Sequence, residues 1–114
     1  MSRKGLNIAV KPKVCAPIFA ALGYETRLLL VARLSSGEPC SIVQLTEGSK
    51  LTRQAITKHL RVLEKVGIVH GVRSDRESLF EFDPSSLTEI KSYIDQISGQ
   101  WDQVLARLKS FVED

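Results

Sequence analysis

Apolar side chains recur at helical spacing over residues 51–67 and leave a second, polar face between them. Ile56, Leu60, Leu63 and Val66 fall on one side, the rhythm of an amphipathic helix. Thr52 is placed to cap its first turn, Leu51 to staple onto Ile56, and Gly67 to end it. The other side carries Arg53, Gln54, Thr57, Lys58, Arg61 and Lys65, and no acidic residue lies between Leu51 and Leu63. Upstream, Pro17–Leu22 predicts a short helix, broken by Gly23-Tyr24-Glu25-Thr26. Thr26 then caps a helix over Arg27–Leu34 that is apolar on most sides and so belongs in the core. Ser35–Pro39 reads as a loop. Ser41 and Gln44 stand three apart, the spacing of a capping box, and open a short helix through Leu45 to Glu47. Gly48-Ser49-Lys50 is a turn.

A short helix, a tight Gly-containing turn and a basic helix make the helix-turn-helix layout. Ile68–Val72 and Ser78–Phe82 then have strand character around the polar turn Arg73–Glu77, predicting a two-stranded hairpin, or wing. Phe80 and Phe82 share the face assigned to the core, and Glu81 the other. The core list is Leu28, Val31, Leu45, Ile56, Leu60, Leu63 and Phe80.

Asp83-Pro84 is a strong helix start. Beyond it Leu87, Ile90, Ile94, Ile97, Trp101, Val104, Leu108 and Phe111 follow spacings of 3, 4, 3, 4, 3, 4 and 3. That is a sustained heptad seam, which a helix packing only on its own domain has no reason to keep. It predicts a dimer interface along Leu87, Ile90, Ile94, Ile97, Trp101, Val104 and Leu108. Gly99 marks a candidate bend or break. The fold class is mainly α with a β-hairpin wing, dimeric through its terminal helix. The expected organisation is a flexible basic tail over 1–13, with Arg3, Lys4, Lys11 and Lys13, then a DNA-binding core over 14–83 and a dimerisation helix over 84–114.

Charge sharpens this picture. The net charge is +3. Residues 1–73 hold 12 Lys/Arg against 4 Asp/Glu, and residues 74–114 hold 4 against 9. The positive part contains the amphipathic helix, which favours a polyanion there and a different task for the C-terminal part. Amide, hydroxyl and cationic groups on one helical face are those that reach base edges and phosphates. Aromatic residues make up only 6% of the chain, against a single-strand binder that stacks bases. The longest apolar run, Leu28–Ala32, is too short to span a membrane, no signal-peptide core is present, and the chain reads as intracellular.

Catalysis finds little support. No glycine-rich phosphate loop, metalloprotease motif or nucleophile elbow is present, and the histidines, His59 and His70, lie in the basic helix and a strand. Cys15, Cys40, His59 and His70 are scattered, without the convergent spacing a metal needs. No cofactor is expected. Cys15 and Cys40 read as small thiols of the interior, with a redox pair as the alternative.

The run Leu51-Thr52-Arg53-Gln54-Ala55-Ile56-Thr57-Lys58-His59-Leu60-Arg61-Val62-Leu63-Glu64-Lys65-Val66-Gly67-Ile68-Val69, together with Glu25-Thr26-Arg27, resembles the ArsR/SmtB family of bacterial transcriptional repressors. The similarity covers roughly residues 16–112. It implies a cytoplasmic, nucleoid-associated, homodimeric winged helix-turn-helix repressor on palindromic double-stranded operator DNA, released by a signal. On that basis the helix from Thr52 enters the major groove. Gln54, Thr57 and Lys58 are assigned to bases, Arg53, His59 and Arg61 to phosphates, and Arg73 and Arg76 on the wing to flanking phosphates or the minor groove. The chain departs from the family where metals bind. The Cys-x-Cys positions of its arsenic and cadmium sensors are Ser41 and Val43 here, with Cys40 one residue out of place. Residues 84–114 contain no His or Cys for the zinc and nickel site of the last helix. A repressor that does not use those metal sites is therefore expected. A thiol-responsive repressor sensing through Cys15 and Cys40, and a winged-helix protein-interaction module, are the alternatives. Arg76 and its neighbours at the wing tip lack the family's usual glycine, which leaves the turn shape open.

Overall fold

The computed structural model describes residues 12–113; the expected tail residues Arg3, Lys4 and Lys11 lie outside them. Among the described residues, five helices and three short strands follow in order: α1 (Pro12–Leu22), α2 (Glu25–Leu34), β1 (Cys40–Ser41), α3 (Ile42–Thr46), α4 (Arg53–Lys65), β2 (Val69–Ser74), β3 (Glu77–Phe82) and α5 (Ser85–Glu113). The core gathers Ile18, Ala21, Leu30, Leu34, Leu45, Ile56, Leu60, Leu63, Ile68, Val69, Phe80 and Ile90. Leu34, Leu60, Leu63, Ile68 and Val69 have no solvent exposure at all.

The helix starts follow from local hydrogen bonds. Ser41 accepts from Gln44 N at 3.1 Å while the Gln44 side chain accepts from Ser41 N at 2.8 Å, so the expected capping box opens α3. Thr52 accepts from Ala55 N at 3.1 Å at the start of α4. Gly67 takes φ +81° as the chain turns out of α4. The expected cap at Thr26 does not form. Helix α2 starts two residues earlier, at Glu25, and its N-cap is Tyr24, whose side chain makes no cap hydrogen bond. Its ring instead packs on Arg27 and His59. Helix α1 also begins earlier than expected and absorbs Lys13. Pro17 lies inside it, and burial of Cys15 and Ile18 holds the turns on either side.

Helix α2 is less central than its composition suggested. Leu30 and Leu34 are buried and Val31 packs against the core, but Leu28 is 52% and Leu29 64% exposed. An all-round apolar helix loses one face to solvent here because partners cover only the other.

The sheet is antiparallel, in the order β1-β3-β2. β1 is only two residues long, too short to carry a periodic signal, and pairs Cys40 with Phe80 and Ser41 with Leu79. The wing strands run further than the sequence suggested, to the pair Ser74–Glu77, and leave only Asp75-Arg76 between them. Asp75 adopts φ +53°. Aspartate tolerates this left-handed region better than most residues, and so replaces the missing glycine. Phe80 is buried and Phe82 half-buried against the same core.

One joint ties α4, the wing and α5 together. Asp83 N donates to Ile68 O at 2.8 Å, and Ser86 Oγ donates to Val66 O at 2.8 Å. Asp83 Oδ1 accepts from Ser85 N at 2.9 Å and from Ser85 Oγ at 2.7 Å, at the start of α5. Asp83 Oδ2 lies 3.0 Å from His70 Nε2 on β2. The Ser85 backbone N–H, then its hydroxyl and the His70 ring, hold the Asp83 carboxyl below its ordinary pKa.

At Gly67 a Cβ would meet Ser86 Oγ at 2.8 Å, on top of a positive φ. Gly67→Ala is therefore expected to cost about 1–3 kcal/mol. Urea denaturation should show it, with a midpoint clearly below that of Gly99→Ala, since nothing lies within 4 Å of a Cβ there.

Candidate nucleic-acid interface

Helix α4 is divided lengthwise by burial. Ile56, Leu60 and Leu63 are at most 1% exposed. Arg53, Gln54, Lys58 and Arg61 on the opposite side are exposed. The 100° step per residue puts these four, with Thr57 and Lys65, on one continuous face. Thr52 stays at the helix start as its cap. Thr57 is half-buried, and its Oγ1 donates to Arg53 O at 2.7 Å, which leaves its lone pairs and methyl group outward. Arg61 Nη1 donates to Glu64 Oε1 at 3.1 Å, an exposed pair one turn apart. Such a pair is worth little in water, so Arg61 can trade Glu64 for a phosphate.

An open groove runs between the start of α3 and this face. It is lined by Ile42, Val43, Thr52, Arg53, Gln54, Ala55, Thr57 and Lys58. Ile42 and Val43 were not among the residues expected there. The one signal for Val43 was its place in the first turn after the capping box, off the side of Leu45. It is 46% exposed. Arg73 near the end of β2 and Arg76 in the turn are both exposed on the wing.

His59 does not join this face. It is half-buried on the α2 side of the helix, with Nδ1 3.3 Å from Arg27 Nη1 and its ring edge-on to Tyr24 at 4.9 Å. The contacts the structure gives His59 are therefore internal ones, to Arg27 and Tyr24. Spacing carried that signal, because His59 is three residues from Ile56 and one from Leu60, toward the buried side.

The seam on α5 also divides. Ile90 is buried and Leu87 packs on the core, so these two anchor the helix to its own domain rather than standing free for a partner. Phe19 of α1 meets Tyr93 edge-on at 5.9 Å. Beyond that point Ile94, Ile97, Trp101, Leu108 and Phe111 are between 43% and 82% exposed, and Val104 is half-buried. Gly99 does not interrupt α5.

The cysteines lie on different elements. Cys15 is buried in α1, its thiol 3.7 Å from Glu89 O on α5, and Cys40 is half-buried on β1, 3.6 Å from Glu38 O. Ser41 is occupied as a helix cap and Val43 offers only carbon. Among the described residues no three His, Cys, Asp or Glu side chains converge as a metal site, and no single helix is long and apolar enough to cross a membrane.

Comparison with known proteins gives this arrangement its context. The helix-turn-helix domain family matches residues 13–72. The chain is 35% identical over 79 residues to the uncharacterized HTH-type transcriptional regulator YuzN of Bacillus subtilis, covering 64% of this chain and 86% of the relative. It is 27% identical over 73 residues to the HTH-type transcriptional repressor SmtB of Mycobacterium tuberculosis, spanning 64% of this chain and only 53% of that protein. Among solved structures, an ArsR-like transcriptional regulator from Rhodococcus superposes with a TM-score of 0.76 at 32% identity, over 89% of this chain and 92% of the other. The homodimeric winged helix-turn-helix domain Mb0332 of Mycobacterium bovis shares the fold, with a TM-score of 0.61 at 15% identity over 88% and 87% of the two chains. The chain belongs to the ArsR/SmtB family of winged helix-turn-helix regulators, DNA-binding transcription factors rather than enzymes.

Proposed function

We propose that the protein is a homodimeric repressor that binds palindromic operator DNA through α4 and the wing. The observation that carries this reading is the lengthwise division of α4, which frees a polar, cationic face from every packing duty. An α-helix fits the major groove, and bidentate amides and cations read base edges there. In this reading Gln54, Thr57 and Lys58 contact bases. Arg53 and Arg61 contact phosphates with the Thr52 turn beside them, and Arg73 and Arg76 flank the site. The solvent-facing seam from Ile94 to Leu108 supports self-association, because water opposes a contiguous apolar stripe of that size. Leu87 and Ile90 support it only indirectly, by fixing the angle of α5. Repression fits the function named for SmtB. A cytoplasmic, nucleoid-associated location follows from this reading. The interior placement of Cys15 and the separate element of Cys40 give the thiol-sensing alternative no specific support.

Substitution separates the contacts. Arg61→Ala should weaken binding to most duplexes alike and reduce the salt slope by about one unit per subunit. Gln54→Ala should relax preference at particular base pairs, with a loss of about 1–3 kcal/mol. Titration of both variants against duplexes selected from a random pool, over a range of salt, checks this. Unchanged affinity in both would remove α4 from the interface.

Assembly has its own test. Ile97→Asp should place an unpaired carboxylate in the dimer contact, at a cost of several kcal/mol. Sedimentation is expected to give a folded monomer with poor operator affinity. A folded variant that stayed dimeric and bound DNA normally would place the interface elsewhere.

A further inference from the structure

His59 belongs to a cluster with Arg27 and Tyr24, off the outward polar face of α4. Arg27 reaches from α2 across the Tyr24 ring, with its guanidinium carbon 4.8 Å from the ring centre. Its Nε donates to the Ala21 carbonyl near the end of α1. Its Nη1 lies 3.3 Å from His59 Nδ1. Guanidinium only donates hydrogen bonds. Nδ1 must therefore be bare and accepting, with the ring neutral and its proton on Nε2.

We propose that His59 is a positioning residue for the recognition helix, holding α4 against α2 as the neutral acceptor for Arg27, so that acid loosens the helix and weakens DNA binding. This rests on the reading of α4 as the DNA-contacting helix. A proton on Nδ1 removes the lone pair and sets two cations face to face. Arg27 has little freedom to retreat, because its Nε is tied to α1. Helices α1, α2 and α3 and strand β2 all pack on α4. Among the described residues, Arg27 of α2 is the charge that bears on the ring, and α1 contributes the Ala21 carbonyl through it. On β2, His70 is paired instead with Asp83, at 3.0 Å.

The sign is definite. Burial, then the Arg27 charge, holds the pKa of His59 below its ordinary 6.5. The packed state thus prefers the neutral ring. Its contribution is complete above the ordinary value and is lost as pH falls through the lowered one. Ordinary protein–DNA electrostatics runs the other way, since added protons strengthen attraction to phosphate.

The test measures duplex affinity of the full chain at constant salt, near neutrality and about two pH units lower. The duplex is one the protein selects from a random pool. Wild type is expected to lose affinity several-fold at the lower pH, as the neutral ring that the packed state prefers takes up its proton. His59→Asn places a non-titrating amide oxygen near the Nδ1 position, so its affinity, whatever its neutral value, is expected not to fall. His70→Asn should keep the wild-type loss. Equal losses in wild type and His59→Asn, or none in wild type, would overturn the proposal. Absence of binding at either pH would instead defeat the DNA reading of α4. Imidazole ¹⁵N shifts of the wild type supply an independent check that needs no variant. The Nε2-protonated tautomer is expected at His59 near neutrality, and an Nδ1-protonated ring would overturn the proposal.

Discussion

Burial of one face of α4 is the constraint on which the rest of the structure depends. Ile56, Leu60 and Leu63 vanish into a core supplied by most other elements: Ile18 and Ala21 of α1, Leu30 and Leu34 of α2, Leu45 of α3, Val69 of β2, Phe80 of β3 and Ile90 of α5. Each fully buried aliphatic side chain is worth about 1.5–3 kcal/mol. Rotating α4 to bury Arg53, Lys58 or Arg61 instead would forfeit that gain and strand a charge. The apolar face therefore decides which way the cationic face looks, and the surface chemistry is a consequence of the interior.

The far end of α4 is held by hydrogen bonds as well as by the buried Leu63, Ile68 and Val69. Val66, Ile68 and His70 each find a partner in the stretch Asp83–Ser86. This joint places the recognition helix, the wing and the long α5 in a fixed relation. In a dimer whose two reading heads must match half-sites about one helical turn of DNA apart, the angle at this joint translates into spacing along the duplex. The close approach of Gly67 to Ser86 shows how little room the joint has.

Much of this was legible in the sequence wherever a signal was periodic or local. The capping box at Ser41 and Gln44, the Thr52 cap, the two faces of α4 and the heptad seam all have a physical cause within a few residues of chain. What escaped depends on distant partners. Tyr24 replaced Thr26 at the start of α2 because its ring has Arg27 and His59 to pack on. Leu28 looked like core by composition, yet among the described residues no element covers it. Leu87 and Ile90 continue the seam in register, but the chain's own core takes them. β1 exists only because β3 lies beside it. His59 sits amid basic residues in the sequence, but its angle on the helix turns it toward Arg27 of α2.

The central claim is that the outer face of α4 and the wing meet DNA while the opposite face only packs. Amide chemical-shift mapping on titration with a selected duplex tests it most directly. The account predicts perturbations concentrated over residues 52–61 and 73–76, with the exposed stretch Leu28-Leu29 of α2 unmoved. Perturbations centred on α2, with the 52–61 amides unshifted at saturation, would contradict it.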